Sequence, residues 1–215
     1  MITERSRSSS ALIWTAVFAA AFGWVEAVVV VYLREIYYPS GFTFPLEMMP
    51  PSTAVVEVAR EAATLVMLAA VARLGARSGW GRFGLFAVAF GVWDLVYYLG
   101  LFLALGWPES LATWDVLFLI PGIWTSPVWA PMLISVLLVG CGACLARLGE
   151  AGRLPPPDRL EWLLAAASLV AILAAFLANH GPVAAGAAPG AFPRLPFFSG
   201  VALALAAFVR LLRRR

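Results

Sequence analysis

Residues 53–74 read TAVVEVAREAATLVMLAAVARL, an apolar stretch long enough to cross a bilayer that carries two acids and an arginine in its first half. Glu57, Arg60, Glu61 and Thr64 stand at i, i+3, i+4 and i+7, and about 3.6 residues per turn puts them on one helix face. A charge near a bilayer's midplane costs roughly 2.5–3.5 kcal/mol on insertion scales. A chain keeps such groups only where they turn from lipid and meet partners, so this stripe points into a bundle. The partners come from neighbouring stretches. Glu26 lies in Ala11–Leu33, with Gly23 one turn below it to let another helix approach. Asp94 lies in Phe83–Gly106, followed at helical spacing by Tyr97, Tyr98 and Leu101.

Outward from there the composition is that of a membrane protein: 62% of residues are hydrophobic and 13% charged, which excludes an ordinary soluble domain. The mean hydropathy of +0.89 agrees. Six stretches reach or approach the roughly 20 residues a spanning helix needs. They are Ala11–Leu33, Thr53–Leu74, Phe83–Gly106, Val128–Leu145, Leu160–Ala178 and Pro196–Leu212. The expectation is an all-α polytopic protein, six transmembrane helices in one bundle over residues 11–215, preceded by a cytoplasmic tail of residues 1–10. Ala19–Ala21 looks like a small-residue cleavage site, but the apolar run continues to Leu33, longer than a signal peptide's core. The first helix is therefore read as retained.

The chain has no lysine. With the N-terminus inside, twelve arginines fall on the cytoplasmic side and only Arg34 and Arg194 on the other. That asymmetry places both termini in the cytoplasm of a bacterial-type inner membrane. The net charge of +3 is thus a topology signal, and nothing points to nucleic acid. Cys141 and Cys144 have C-x-x-C spacing but lie away from the helix N-terminus that a redox pair uses. With Gly140 they suit close helix packing, as do alanine ladders at Ala167, Ala171 and Ala175 and at Ala202 and Ala206.

The outer loops are the longer ones. Residues 34–52 are rich in aromatics and proline and read as a folded cap. In 107–130, Ser110–Leu119 reads as a short helix with Ser110 as N-cap and Pro121 beyond its end. Ten residues rise about 15 Å, too little to span, so this helix would be interfacial or re-entrant and carry Asp115. Residues 180–194, HGPVAAGAAPGAFPR, have the composition of a flexible connection.

At about 1.5 Å rise per residue, Glu26, Arg60, Glu61 and Asp94 fall at similar depth, with Glu57 higher and the only histidine, His180, at the outer end of the fifth helix. Together with Tyr97, Tyr98 and Asp115 these residues outline an outward-facing pocket. Four intramembrane acids against one arginine cannot all ionise unaided; shared protons, a divalent metal held by Glu26, Glu57, Glu61, Asp94 and His180, or a cationic ligand would balance them. Three readings follow. The first is a protein that binds a small cationic or zwitterionic solute, with carboxylates on its positive group, Arg60 on an anionic one and aromatic rings stacked against it. The second is an accessory subunit of a membrane complex, with the charges fixing helix register. The third is a carboxylate-site, metal-dependent intramembrane enzyme. One histidine excludes bis-histidine haem, no nucleotide motif is present, and no Ser or Cys nucleophile sits beside a base.

In size and topology the chain resembles the substrate-binding component of energy-coupling-factor vitamin transporters, and its alanine-rich first helix (Ala16, Ala20) is similar to their coupling-helix motif. The resemblance covers the whole chain and rests on architecture. It implies six helices, both ends inside, a ligand pocket beneath outer loops, and transporter subunits as partners.

Overall fold

In the computed structural model, which describes residues 4–47 and 49–215, the apolar stretches are helices. They are α1 (Glu4–Tyr37), α2 (Pro51–Gly75), α3 (Gly79–Leu105), α4 (Trp129–Glu150), α5 (Arg159–Leu177) and α7 (Arg194–Arg213), with a short α6 (His180–Ala184) between the last two. Helix α1 starts at Glu4, so the described part of the expected tail continues it. Five of these helices are long and apolar enough to cross a membrane, with α6 continuing the α5 span. The exception is α2, which has the length but carries Glu57, Arg60, Glu61 and Arg73.

The helix ends follow local chemistry. Ser78 accepts a hydrogen bond from the Gly81 amide to start α3, and Gly106, at φ 65°, closes it in the left-handed conformation that glycine adopts freely. Asp158 and Glu161 form a reciprocal capping box at the start of α5.

Helix α3 is central, with α1, α2 and α4 packed around it. A Cβ at Gly84 would strike the backbone of Gly142 and Ala146 on α4, so only glycine permits that approach. Gly23 likewise lies against the Trp93 backbone, as its place below Glu26 suggested. Helices α5 and α7 pair with each other where Gly200 meets Ser168 and Ile172. The expected close contacts hold only in part: Ala175 is fully buried, but Gly140 has open space around it, and Ala167, Ala202 and Ala206 are exposed. A helix offers small residues on several faces, and the neighbour's backbone selects one of them.

The largest departure is in 107–130. In place of a helix at Ser110–Leu119, Trp114–Val116 (β1) and Thr125–Pro127 (β2) form an antiparallel hairpin with Asp115 opposite Ser126. The Ser110 hydroxyl takes the Ala112 amide and its carbonyl takes that of Thr113, closing a turn where a helix cap was expected. An isolated helix of ten residues is marginal, whereas the two-residue alternation of a strand buries Asp115 alone between half-buried neighbours. Residues 180–194 are also more structured than their composition suggests, with the Gly190 amide donating to Asn179 Oδ1 at 2.8 Å.

The two ends of the bundle differ. At the end holding the 76–78 and 151–158 connections, Glu150 takes the Ser78 amide at 2.8 Å and its hydroxyl at 2.7 Å. There Arg210 pairs with Asp158 at 2.8 Å and Arg214 with Glu161 at 2.7 Å. The hydrogen bond from Arg210 holds the Asp158 carboxyl down at about 2. The other end carries the hairpin, the aromatic cap of residues 38–47 and nearly all the buried charge.

Candidate functional site

Glu57, Glu61, Thr64, Leu68 and Ala72 are the buried residues of α2, one stripe that is polar at the hairpin end and apolar below. The stripe folds inward because it holds the groups most costly to leave in lipid. Arg60, at its edge, forms an ion pair with Glu26 of α1 and a second with Glu57 at 2.8 Å. Thr64 Oγ1 donates to the other Glu26 oxygen at 3.3 Å. These four residues tie α1 to α2.

Glu61 and Asp94 are placed differently. The Glu61 carboxylate takes the Leu119 amide on both oxygens, at 3.0 and 2.9 Å, fixing the tip of the hairpin over the bundle. Asp94 accepts from Ser135 Oγ of α4 at 2.8 Å. Among the described residues neither has an ion-pair partner, and both line the same cavity. Neither is paired directly with a cationic side chain, so any charge it carries has no direct counter-ion.

A further buried pair lies nearby. Arg34 Nη2 meets Asp115 Oδ1 at 3.1 Å, and Tyr98 donates to Asp115 Oδ2 at 3.2 Å. The Arg34 guanidinium lies 3.6 Å from the Trp107 ring centre and 4.5 Å from that of Phe42, a cation held by two aromatic faces. Burial pushes the Asp115 carboxyl up to about 6 against the pull of Arg34. Tyr97 stacks on Trp93 at 6.3 Å, and Trp93 and Phe90 both pack on Phe118 of the hairpin.

The cavity has a volume of about 1210 Å³. Glu26, Glu57, Arg60, Glu61, Asp94, Tyr97, Tyr98 and Asp115 all contribute to its wall, so eight of the nine expected site residues come together. His180 does not. It begins α6, and its Nδ1 accepts the Ile123 amide at 3.0 Å, fastening the hairpin. No group of three His, Cys, Asp or Glu side chains among the described residues is arranged to hold a metal ion. Arg60 occupies Glu26 and Glu57, and His180 faces elsewhere, so the metal set expected from sequence is corrected.

Arg34 and Ser135 were missed. Ser135 has no signal in sequence beyond being a polar residue in an apolar helix. Arg34 did have one: Glu26, Val30, Leu33, Arg34 and Tyr37 all line the cavity at helical spacing, a stripe that runs past the apparent end of the apolar segment.

No protein-family description, curated protein or solved structure matches the chain, so no comparison supports the likeness to vitamin-transporter components.

Proposed function

We propose that this multi-pass membrane protein binds a positively charged or zwitterionic ligand in the cavity beneath its hairpin, as a solute-binding component of transport. The reading rests on Glu61 and Asp94, two cavity-lining carboxylates without an ion-pair partner among the described residues. A bound cation supplies the missing charge, and the stacked Trp93 and Tyr97 offer it aromatic faces. Glu26 and Glu57 share Arg60 and act as the frame, with one negative charge in excess if both ionise.

In this reading α2 is the sixth membrane span. Glu57, Arg60 and Glu61 face the bundle, while Val55, Val56, Val58, Val66 and Met67 on its outer face are exposed and apolar, as lipid contact requires. The arginine distribution puts both termini in the cytoplasm of a bacterial-type inner membrane and the hairpin outside.

Tetramethylammonium is a minimal probe. A ligand that binds only the folded state at a hundred times its Kd stabilises it by about 2.7 kcal/mol, which a thermal midpoint reports. The wild type is expected to show that rise, and Asp94→Asn and Glu61→Gln to lose it while keeping their ligand-free midpoints. Both substitutions retain a hydrogen-bond acceptor for Ser135 or Leu119 and remove only the charge. A wild type that ignores the probe, or variants that respond as it does, would end this reading.

A further inference from the structure

The cavity is larger and deeper than a small cation needs. Pockets for drug-sized ligands run roughly 300–1,000 Å³, and this one has about 1210 Å³. Most of its charged groups lie at the hairpin end, with Glu161 at the other end held by Arg214. From the hairpin end it continues between α3 and α4 on one side and α5 and α7 on the other, down to Glu161 and Leu211 at the arginine-rich end. Along α5 its wall runs from Phe176 to Glu161, which is about 22 Å at helical rise. Leu138 and Leu145 of α4, Leu169 and Ile172 of α5, and Leu205 and Phe208 of α7 face this lower part.

An aqueous solute has no use for such a space, and water gains little there, because an apolar lining gives it few hydrogen-bond partners. Hydrocarbon fits both the lining and the length, since about 22 Å is most of the roughly 30 Å hydrocarbon thickness of a bilayer. The space exists because α4 and the α5–α7 pair touch chiefly at the hairpin end. There Ala130, Trp129 and Leu133 meet Phe176, Phe192 and Phe197.

Resting on the proposed cation site, we infer that the ligand is a long-chain amphiphile. Its positively charged head sits at Glu61 and Asp94, and its hydrocarbon chain lies in the apolar channel between α4 and the α5–α7 pair. The acids select the head by charge, and the channel selects the tail by length.

The test compares tetramethylammonium with dodecyltrimethylammonium, the latter below its micelle-forming concentration, on full-length protein in lipid nanodiscs. Tryptophan fluorescence reads binding, since Trp93 and Trp124 line the cavity. Ala204→Trp on α7 and, independently, Ala165→Trp on α5 place bulk in the channel far from the acids, at residues with open space beside them. The wild type is expected to bind the dodecyl probe more tightly than the methyl one. Each channel variant is expected to weaken the dodecyl probe by roughly tenfold or more, since a blocked chain leaves several methylenes unburied. The methyl probe should stay within about twofold for the same variants, as its whole contact is at the acids. Asp94→Asn should weaken both probes.

Channel variants that bind the dodecyl probe as the wild type does, or a wild type with no preference for the longer chain, would overturn the inference and leave the cation site standing. If Asp94→Asn leaves both probes bound while channel variants still exclude the dodecyl chain, the cation site fails and the channel holds bilayer lipid without head selection. Two plugs on different helices keep the result readable should one fail to fold.

Discussion

Arg34 and Arg60 lie at the same end of the bundle, each beside carboxylates, yet their settings differ. Arg34 and Asp115 also line the cavity but are more deeply buried, at 8% and 2% side-chain exposure, with aromatic rings over the guanidinium. Arg60 is 23% exposed and borders the cavity while pairing with two acids at 8% each. The Arg34–Asp115 pair touches the cavity only with its few exposed atoms and chiefly fastens the hairpin to α1. Arg60, the more exposed guanidinium, contributes more to the electrostatics of whatever enters. The comparison separates holding the fold together from presenting charge to a ligand, two roles that one list of buried acids runs together.

The largest effect should come from breaking the more deeply buried pair. Arg34→Met leaves Asp115 buried without its cation and should cost about 3–5 kcal/mol, whereas adding Asp115→Leu should recover most of that loss. Thermal midpoints of the single and double variants decide it, and a double variant no better than the single would show that the pair itself was not the issue. The pH response carries a definite sign. Asp115 titrates at about 6 in the folded protein against an ordinary 3.8. An acid raised on folding favours the folded state at low pH, and that contribution disappears as pH rises through about 6. Asp115→Asn should flatten this part of the midpoint-against-pH curve.

Breaking the more exposed pair should cost less. Arg60→Met leaves Glu26 and Glu57 able to reach cavity water, for a loss of about 1–3 kcal/mol. A midpoint drop matching that of Arg34→Met would mean that the two arginines share one role. The smallest effect is expected outside both pairs. His180→Ala removes the acceptor for the Ile123 amide, worth about 1 kcal/mol or less, and should speed hydrogen exchange at Ile123. The Leu119 amide, held by Glu61, should stay protected, and equal acceleration at both would show that the hairpin tip moves as one piece.

The sequence made α2's inward stripe plain because charge in an apolar helix has one tolerable direction. Glu57, Glu61 and Thr64 therefore fell where spacing put them, and Arg60 found Glu26 for the same reason. The hairpin was not legible. Residues 114–120, WDVLFLI, form a short apolar run that periodicity assigns to a helix or a strand equally well, and Ser110 opens turns as readily as helices. What decided it was a contact distant in sequence, Asp115 with Arg34, which is 81 residues away. The same distance hid Arg34, since counting arginines by loop assigns a side to the chain and says nothing of where one guanidinium points. His180 was misplaced because nearness in depth says nothing about which way a side chain faces.

The α5–α7 pair has a mechanical property that follows from how it is fastened. At one end Arg210 and Arg214 clamp Asp158 and Glu161, and at the other the aromatic cluster and His180 join it to the hairpin. Between those ends, among the described residues, no side-chain hydrogen bond links α4 to α5 or α7, and the facing surfaces are apolar. Dispersion contacts are short-ranged and have no direction, so they resist shear weakly. The wall they form is therefore compliant in its middle, tied to the bundle at the hairpin end by the aromatic cluster and at the other by the 151–158 connection, where Trp80 Nε1 donates to the Pro155 carbonyl. It can bow outward or inward without breaking a polar bond, and the channel can take up chains of different thickness while the acids at its mouth keep their positions.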